Sequence, residues 1–351
     1  VADSCSATNN TAGFIFSSAA DGAEANIAAQ RAGVTSATYY LRAIKTNTST
    51  LACEAALSGA TTVNLGYECN NPTTCSGSNL MSINGGSATT IARNDNGSSV
   101  NKTSVNMSFD ANGNAPFTLA FSDVGQTRLH AAKAAGGSLL TPLAGASNGF
   151  VTAPYDFLVV PTGPYAAGVS FGARVTPRTS GGATTPNFGR ESTAEAVVLK
   201  GVTTAAASAS NSQLVGPVGG QPGALTAGSF SRANCVSPAS SGEVCDTALA
   251  WSEVGDLVLS AATANGSGYL GSALISWGSA AAGAFKPSFL TTELDPAQPC
   301  VSFTYSGQPF RIKVSAMSAA HPVLATSAAL TRNYTGAYAK DVTLGSDSAG
   351  V

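Results

Sequence analysis

The sequence predicts an all-β protein made of two-layer β-sandwiches in tandem. Three observations carry that expectation. Short stretches of alternating apolar and polar residues, broken by Gly, Asn, Pro and Ser, fill the 351 residues, and period-two alternation is what a strand with one buried face requires. Sustained helical periodicity is scarce, as are the Leu, Glu and Lys that populate helices. One strand–turn–strand pattern occurs twice, 130 residues apart, which marks repeated copies of one supersecondary unit.

The strands follow from the alternation. Tyr39, Leu41 and Ala43 alternate with Tyr40 and Arg42 and share one face. Val169, Phe171, Ala173 and Val175 point inward by the same rule. Phe310, Ile312, Val314 and Ala316 do so against Arg311, Lys313 and Ser315, giving a strand with one wet side. The duplicated pattern is Leu119-Ala-Phe-Ser-Asp-Val-Gly-Gln-Thr-Arg-Leu-His-Ala131, which returns as Leu249-Ala-Trp-Ser-Glu-Val-Gly-Asp-Leu-Val-Leu-Ser-Ala261. Its shared Gly supplies a turn between two strands. Asp123 and Glu253 hold equivalent places in that turn, which favours a turn role over catalysis in either copy.

A second recurrence is a Gly turn leading into a strand that ends V-x-L or V-V-L, at 58–65, 188–199 and 334–344. Pro154-Tyr-Asp-Phe-Leu158 and Pro287-Ser-Phe-Leu290 read as equivalent entry strands, 133 residues apart. These marks divide the chain into units at 1–153, 154–286 and 287–351, the first two each long enough for a sandwich. The counterpart of Val254-Gly255 in the third unit would fall past residue 351. That unit is therefore expected to lack its closing strands and to expose backbone and apolar core. Either the rest of a longer precursor or a strand from another subunit is expected to fill the gap. The stretch from Val1 to Gly13 is polar and poorly alternating, and makes a poor donor.

Seven Cys add a disulfide framework. Cys69 and Cys75 enclose an Asn/Pro-rich turn, and Cys235 and Cys245 bracket a Ser/Pro/Gly loop. Local disulfides of this kind contribute roughly 2–3 kcal/mol each in the loop-entropy model. Cys5 with Cys53 is a third candidate pair. Cys300 is left as an unpaired thiol or a partner for a residue outside this chain. The paired C-x-x-C knuckles of a zinc site are missing. Disulfides imply an oxidising, extracellular setting, and a chain that starts at Val1 fits a removed leader or a piece of a longer precursor.

Composition excludes several classes of function. Charged residues make up 10% of the chain, against ~25% in an ordinary soluble protein. Seventeen Lys and Arg face 19 Asp and Glu, so no dense cationic face is available for nucleic acid or for a polybasic membrane contact. No apolar run nears the ~18 residues of a membrane span, and no membrane insertion is expected. Two His leave little room for His-based metal or acid–base sites, and no cofactor is expected.

The candidate catalytic motifs fail on context. Gly145-Ala-Ser-Asn-Gly149 fits G-x-S-x-G, but no helix follows it, and its nearest His, His130, reads as a half-exposed strand residue. Gly266-Ser-Gly-Tyr-Leu-Gly271 fits G-x-G-x-x-G, again with no helix after it, and reads as a hairpin turn. Asp110, Asn112 and Asn114 resemble the start of a calcium loop, although the Gly arrives two positions early and Phe121 stands where Glu is needed. An Asn-Gly hairpin between 105–109 and 117–121 explains the same residues. Glu191 with Glu195 is the candidate glycosidase pair, read more simply as solvated charge. His321, before Pro322, has no evident partner. The Ala/Ser/Thr run at 203–212 and the Gly/Pro-rich stretch at 216–223 read as exposed loop.

Cys300-Val-Ser-Phe-Thr-Tyr-Ser-Gly-Gln-Pro-Phe310, followed by Arg332-Asn-Tyr-Thr-Gly336, resembles the C-terminal repeat region of MshQ-like proteins. These are large bacterial surface proteins found with mannose-sensitive haemagglutinin type IV pilus genes. The stretches 60–65, 69–75, 109–113 and 121–125 are similar too, so the resemblance covers most of the chain. It implies immunoglobulin-like domains, export, and a surface or pilus-associated role without a defined catalytic site. The matching motifs read as scaffold, so no binding residues transfer. The expected function is structural, a bacterial extracellular stalk or fibre subunit that assembles through β-strand contacts at its open third unit. An adhesin binding a glycan or host surface through its loops is the alternative, and a glycoside-acting enzyme the third reading.

Overall fold

The computed structural model describes residues 12–22, 26–47, 49–50, 52–77, 81–137, 139–203, 242–297, 307, 309–320 and 328–345. Within 12–153 the alternating stretches become β1 (Ala12–Ser17), β2 (Gln30–Arg31), β3 (Tyr39–Thr46), β4 (Cys53–Ala55), β5 (Gly59–Asn71), β6 (Met81–Asn84), β7 (Ala88–Thr90), β8 (Ala92–Asn94), β9 (Thr103–Phe109), β10 (Asn114–Phe121), β11 (Gly125–Lys133), β12 (Leu143–Ala146) and β13 (Phe150–Ala153). They form two layers. One runs β1-β3-β10-β6-β7, with β4 on β3, and the other runs β2-β13-β11-β5-β8, with β12 on β11 and β9 on β5. Phe14, Phe16, Leu41 and Phe117 meet Val63, Leu65, Tyr67 and Leu129 in one buried core. Phe14 with Phe109 (6.4 Å) and Tyr67 with Phe121 (5.6 Å) join the layers through ring contacts that add to simple area burial.

The second sandwich repeats the same plan with fewer strands: β14 (Asp156–Thr162), β15 (Phe171–Arg178), β16 (Val197–Thr203), β17 (Val244–Leu249), β18 (Gly255–Thr263) and β19 (Trp277–Phe285). Its layers, β14-β15-β17 and β16-β18-β19, correspond to β1-β3-β10 and β5-β11-β12. The register agrees as well, since Leu65 pairs with Ala131 and Leu199 with Ala261. Phe157, Phe171, Leu199, Leu259, Trp251 and Phe285 fill its core. In the third unit β20 (Phe289–Leu294) pairs with β21 (Ile312–Met317), as β14 pairs with β15. Among the described residues no further strand joins that pair.

Several expectations change. Val169 lies ahead of β15, because its N–H closes a turn on the Ala166 carbonyl. The segments 105–109 and 117–121 are not a hairpin: β9 pairs with β5, whereas β10 pairs with β3 and β6. The turn at 110–113 is an arch that carries the chain from one layer to the other. The duplicated pattern is an arch too, linking β10 to β11 and β17 to β18 across the sandwich. The strand expected from Phe310 begins only at Ile312, and Phe310 and Ile312, expected to face inward, are 51% and 40% exposed. Residues 342–344, the third V-x-L copy, are not in a strand. Cys5, Cys235, Cys300, His321 and the loop at 204–223 lie outside the described residues.

In both complete sandwiches a late strand, β12 or β19, closes on the first strand at a glycine. A Cβ on Gly145 would stand 2.0 Å from the Phe14 carbonyl oxygen, and one on Gly278 would stand 1.8 Å from that of Phe157. Gly278→Ala must therefore push β19 off β14, and overpacking of this kind costs about 1–3 kcal/mol. Urea unfolding should show that loss. Gly266→Ala, whose Cβ would meet nothing within 4 Å, should leave the midpoint close to that of the unaltered chain.

Candidate functional site at the module junctions

The recurrent arch does more than turn the chain. Its acid, Asp123 or Glu253, is buried at the end of one sandwich, where an unpaired carboxylate would be costly. The next unit supplies the donors. At the first junction the Asn187 backbone N–H donates to Asp123 Oδ1 (3.1 Å), and Asn187 Nδ2 donates to the Val124 carbonyl (3.1 Å). Ser76 N–H in turn donates to Asn187 Oδ1 (2.7 Å). At the second junction the backbone N–H groups of Arg332 and Asn333 donate to Glu253 (3.2 and 3.0 Å), and Asn333 Nδ2 reaches the Val254 carbonyl (3.4 Å). The acid and the Val carbonyl of one module thus hold an Asn of the next. Burial pushes the Glu253 carboxyl above its ordinary range, while the N–H groups of Asn333, Arg332 and Val254 pull it back.

A second contact repeats beside the first. Ala32-Gly33-Val34 and Ala167-Gly168-Val169 form the same turn, with φ of 74° and 76° at the glycines, a region that side chains with a Cβ seldom enter. Each turn is fixed by its own module: Gly33 N–H bonds the Phe121 carbonyl and Gly168 N–H that of Trp251 (2.8 and 2.7 Å). Each then accepts a backbone N–H from the following unit, Ser180 onto Ala32 and Ala319 onto Ala167 (2.9 and 2.8 Å). Sequence reasoning missed this turn, although Ala-Gly-Val at 32–34 and 167–169 was a readable signal. Arg31 adds a third tie at the first junction only, donating to the carbonyls of Pro154 and Ile275 (3.1 and 3.0 Å).

The expected candidates sit elsewhere. Asp110 accepts the N–H groups of Asn112 and Asn114 (2.9 and 2.8 Å), and Asn114 Oδ1 accepts from Arg42 (3.0 Å), so these oxygens tie the arch to itself and to β3. Cys69 and Cys75 are bonded, and Cys53 and Cys245 are also in disulfides. Ser147 accepts the Leu129 N–H (2.9 Å) and donates to the Asn148 carbonyl, while His130 pairs with Glu68 (2.8 Å). The 266–271 stretch lies in the β18–β19 connection, where Tyr269–Gly271 form a 3-10 turn with Tyr269 buried. Glu191 is not solvated charge: it is buried, accepts the Tyr269 hydroxyl (2.5 Å) and caps the Glu195 N–H (3.1 Å). Burial raises its carboxyl, and the Tyr269 hydrogen bond offsets part of that.

Glu68 offers a pH test. Burial would raise its carboxyl, but the Gly97 N–H and His130 outweigh that and hold it below the ordinary 4.5. A lowered folded value means that its stabilisation is present above 4.5 and is lost as pH falls through the folded value. Glu68→Gln should cost about 1–3 kcal/mol near neutral pH and flatten the acid limb of a stability–pH profile.

Residues 2–143 match the domain of unknown function DUF6701, described as its first Ig-like domain. Residues 253–349 match the DUF6701 third domain. That second match begins in the arch at Glu253, although β18 and β19 pack in the core of the second sandwich. No curated protein matches the chain. Among solved structures, invasin, a bacterial integrin-binding protein, aligns at 13% identity and a TM-score of 0.31, over 81% of this chain and 42% of that one. A marsupial T cell receptor aligns at 13% identity and a TM-score of 0.22, over 78% of this chain and 97% of that one. The chain thus spans under half the length of the invasin structure. The chain has an immunoglobulin-like fold, with its residues 2–143 and 253–349 matching, in order, the first and third domains of DUF6701.

Proposed function

We propose that the chain is a non-catalytic structural segment of a bacterial surface protein, a stalk in which modules at 1–153, 154–286 and 287–351 are held in series. The observation that carries this reading is the double clasp, made twice with equivalent atoms at both junctions. Modules joined by slack linkers pivot freely. Here β13 ends at Ala153 and β14 starts at Asp156, and Asp123, Asn187 and Glu253 of the clasps are buried. A stalk that sets its tip at a fixed distance needs that stiffness. The Cys69–Cys75 disulfide supports an oxidising, extracellular compartment. Among the described residues no helix is long and apolar enough to cross a membrane. Glu68, Asp110, Asp123, Glu191, Glu253, Ser147 and His130 are engaged in structural bonds, which supports a non-catalytic role.

An adhesin is the second reading. A polar cavity of about 440 Å³ on the first module, lined by Asp21, Arg42, Glu54, Asn112 and Asn114, is where a sugar would be sought. Small-angle scattering separates stiffness from slack. The unaltered chain should fit one arrangement of modules. Asn187→Ala leaves the Val124 carbonyl and the Ser76 N–H without their partner, a loss of about 1–3 kcal/mol, and should broaden the distribution of inter-module angles. Modules that already pivot freely in the unaltered chain would refute the stalk. Saturable glycan-array binding, lost on Arg42→Ala, would replace it with the adhesin.

A further inference from the structure

We propose that the third module is a strand acceptor, whose segment at 342–344 takes an extended strand of the chain's own repeat pattern, acid-V-G-x-x-x-L-x-A. The inference rests on the tandem-module reading and deepens it by naming the partner.

Equivalent positions have opposite fates. Leu65 and Leu199, the last residues of the V-x-L copies in the complete sandwiches, are 3% and 1% exposed, whereas Leu344 is 55% exposed. Phe14 and Phe157, on the entry strands, are 4% and 2% exposed, whereas Leu290, which opposes Ala316 as Phe157 opposes Pro177, is 43% exposed. What covers the first two pairs is known residue by residue. Leu65 pairs with Ala131 on β11, and Leu199 with Ala261 on β18. Both partner strands follow directly from an acid-Val-Gly arch. Phe14 and Phe157 lie beneath Gly145 and Gly278 of the closing strands. Among the described residues no strand equivalent to these pairs with 342–344 or closes over Leu290.

The junction side of this module is nevertheless formed. Asn333 and Arg332 engage Glu253, and β20 pairs with β21. The module is therefore seated on its predecessor, and among the described residues no strand pairs with 342–344. The register follows from β16 on β18, where Val197 opposes Thr263 and Leu199 opposes Ala261. A strand of the same pattern would set its L-x-A alanine against Leu344, with Val342 two residues along. It would also bring an acid-Val-Gly arch, and with it the donor-binding half of a further clasp.

The probe is a fluorescently labelled peptide of residues 249–263, titrated with the full chain. Saturable one-to-one binding is expected, together with slowed amide hydrogen exchange at 341–345. Val342→Ser with Leu344→Ser alters exposed side chains only and should weaken binding by about tenfold or more, as expected when two apolar side chains are not buried. A peptide with Ser at positions 257, 259 and 261 should not bind. Absence of saturable binding overturns the proposal, as does equal affinity for the altered chain or the altered peptide. Dimers that dissolve on Leu344→Ser, while the peptide fails to compete, overturn it too and assign the face to a second copy. None of these failures would touch the scattering result at Asn187, so the stalk and the acceptor can fall separately.

Discussion

The architecture depends on satisfying a carboxylate that has left water. In each complete sandwich the arch between the layers places Asp123 or Glu253 where solvent cannot reach it. A buried, ionised group without partners is untenable. Each module meets part of that demand with the backbone N–H of its own arch, as Val124 does for Asp123 (2.9 Å). The remainder comes from the next module. Continuity between modules is therefore a condition of electrostatic balance at the end of each sandwich, and not simply the result of a short connection.

The neighbouring Ala-Gly-Val turn fixes where those donors arrive. It hangs from the carbonyl of the aromatic two residues before the acid, Phe121 or Trp251, whose ring is itself core. Core packing, turn and clasp are thus mechanically one piece. The first junction goes further, because Ala32, Val124, Val151 and Ala153 of the first module join the apolar core of the second. At that boundary two cores are in contact, so burial of apolar area adds to the hydrogen bonds.

Alternation in the sequence reports which face of a strand is buried, and at that level it was sufficient: Tyr39, Leu41 and Ala43 face the core. It does not report which strand lies alongside. The residues at 105–109 and 117–121 read equally well as a hairpin or as an arch, since both put their apolar faces on one core. The duplicated pattern was legible as a repeat, and the turn role of its acid as well, but not the donors, which come from Asn187, 64 residues away. Glu191 was misjudged for the same reason. Its partner Tyr269 is 78 residues distant, and nothing local distinguishes a buried Glu from a solvated one. Ala-Gly-Val escaped notice because three residues are too few to show a period.

The order of these parts along the chain gives assembly a direction. The receiving Asn precedes the V-x-L strand of its own module, while the acid-Val-Gly arch comes after it. A module can therefore be clasped by its predecessor before its second layer exists, but it cannot clasp a successor until its arch is laid down. A chain emerging from export in the N-to-C direction would meet the same order. Each finished sandwich would offer a seat for the next incomplete one, and the exposed edge at any moment would be confined to the last module. An edge strand is a hazard for aggregation when it is long and persistent. Seating each module before it closes keeps that hazard to one site and short in duration.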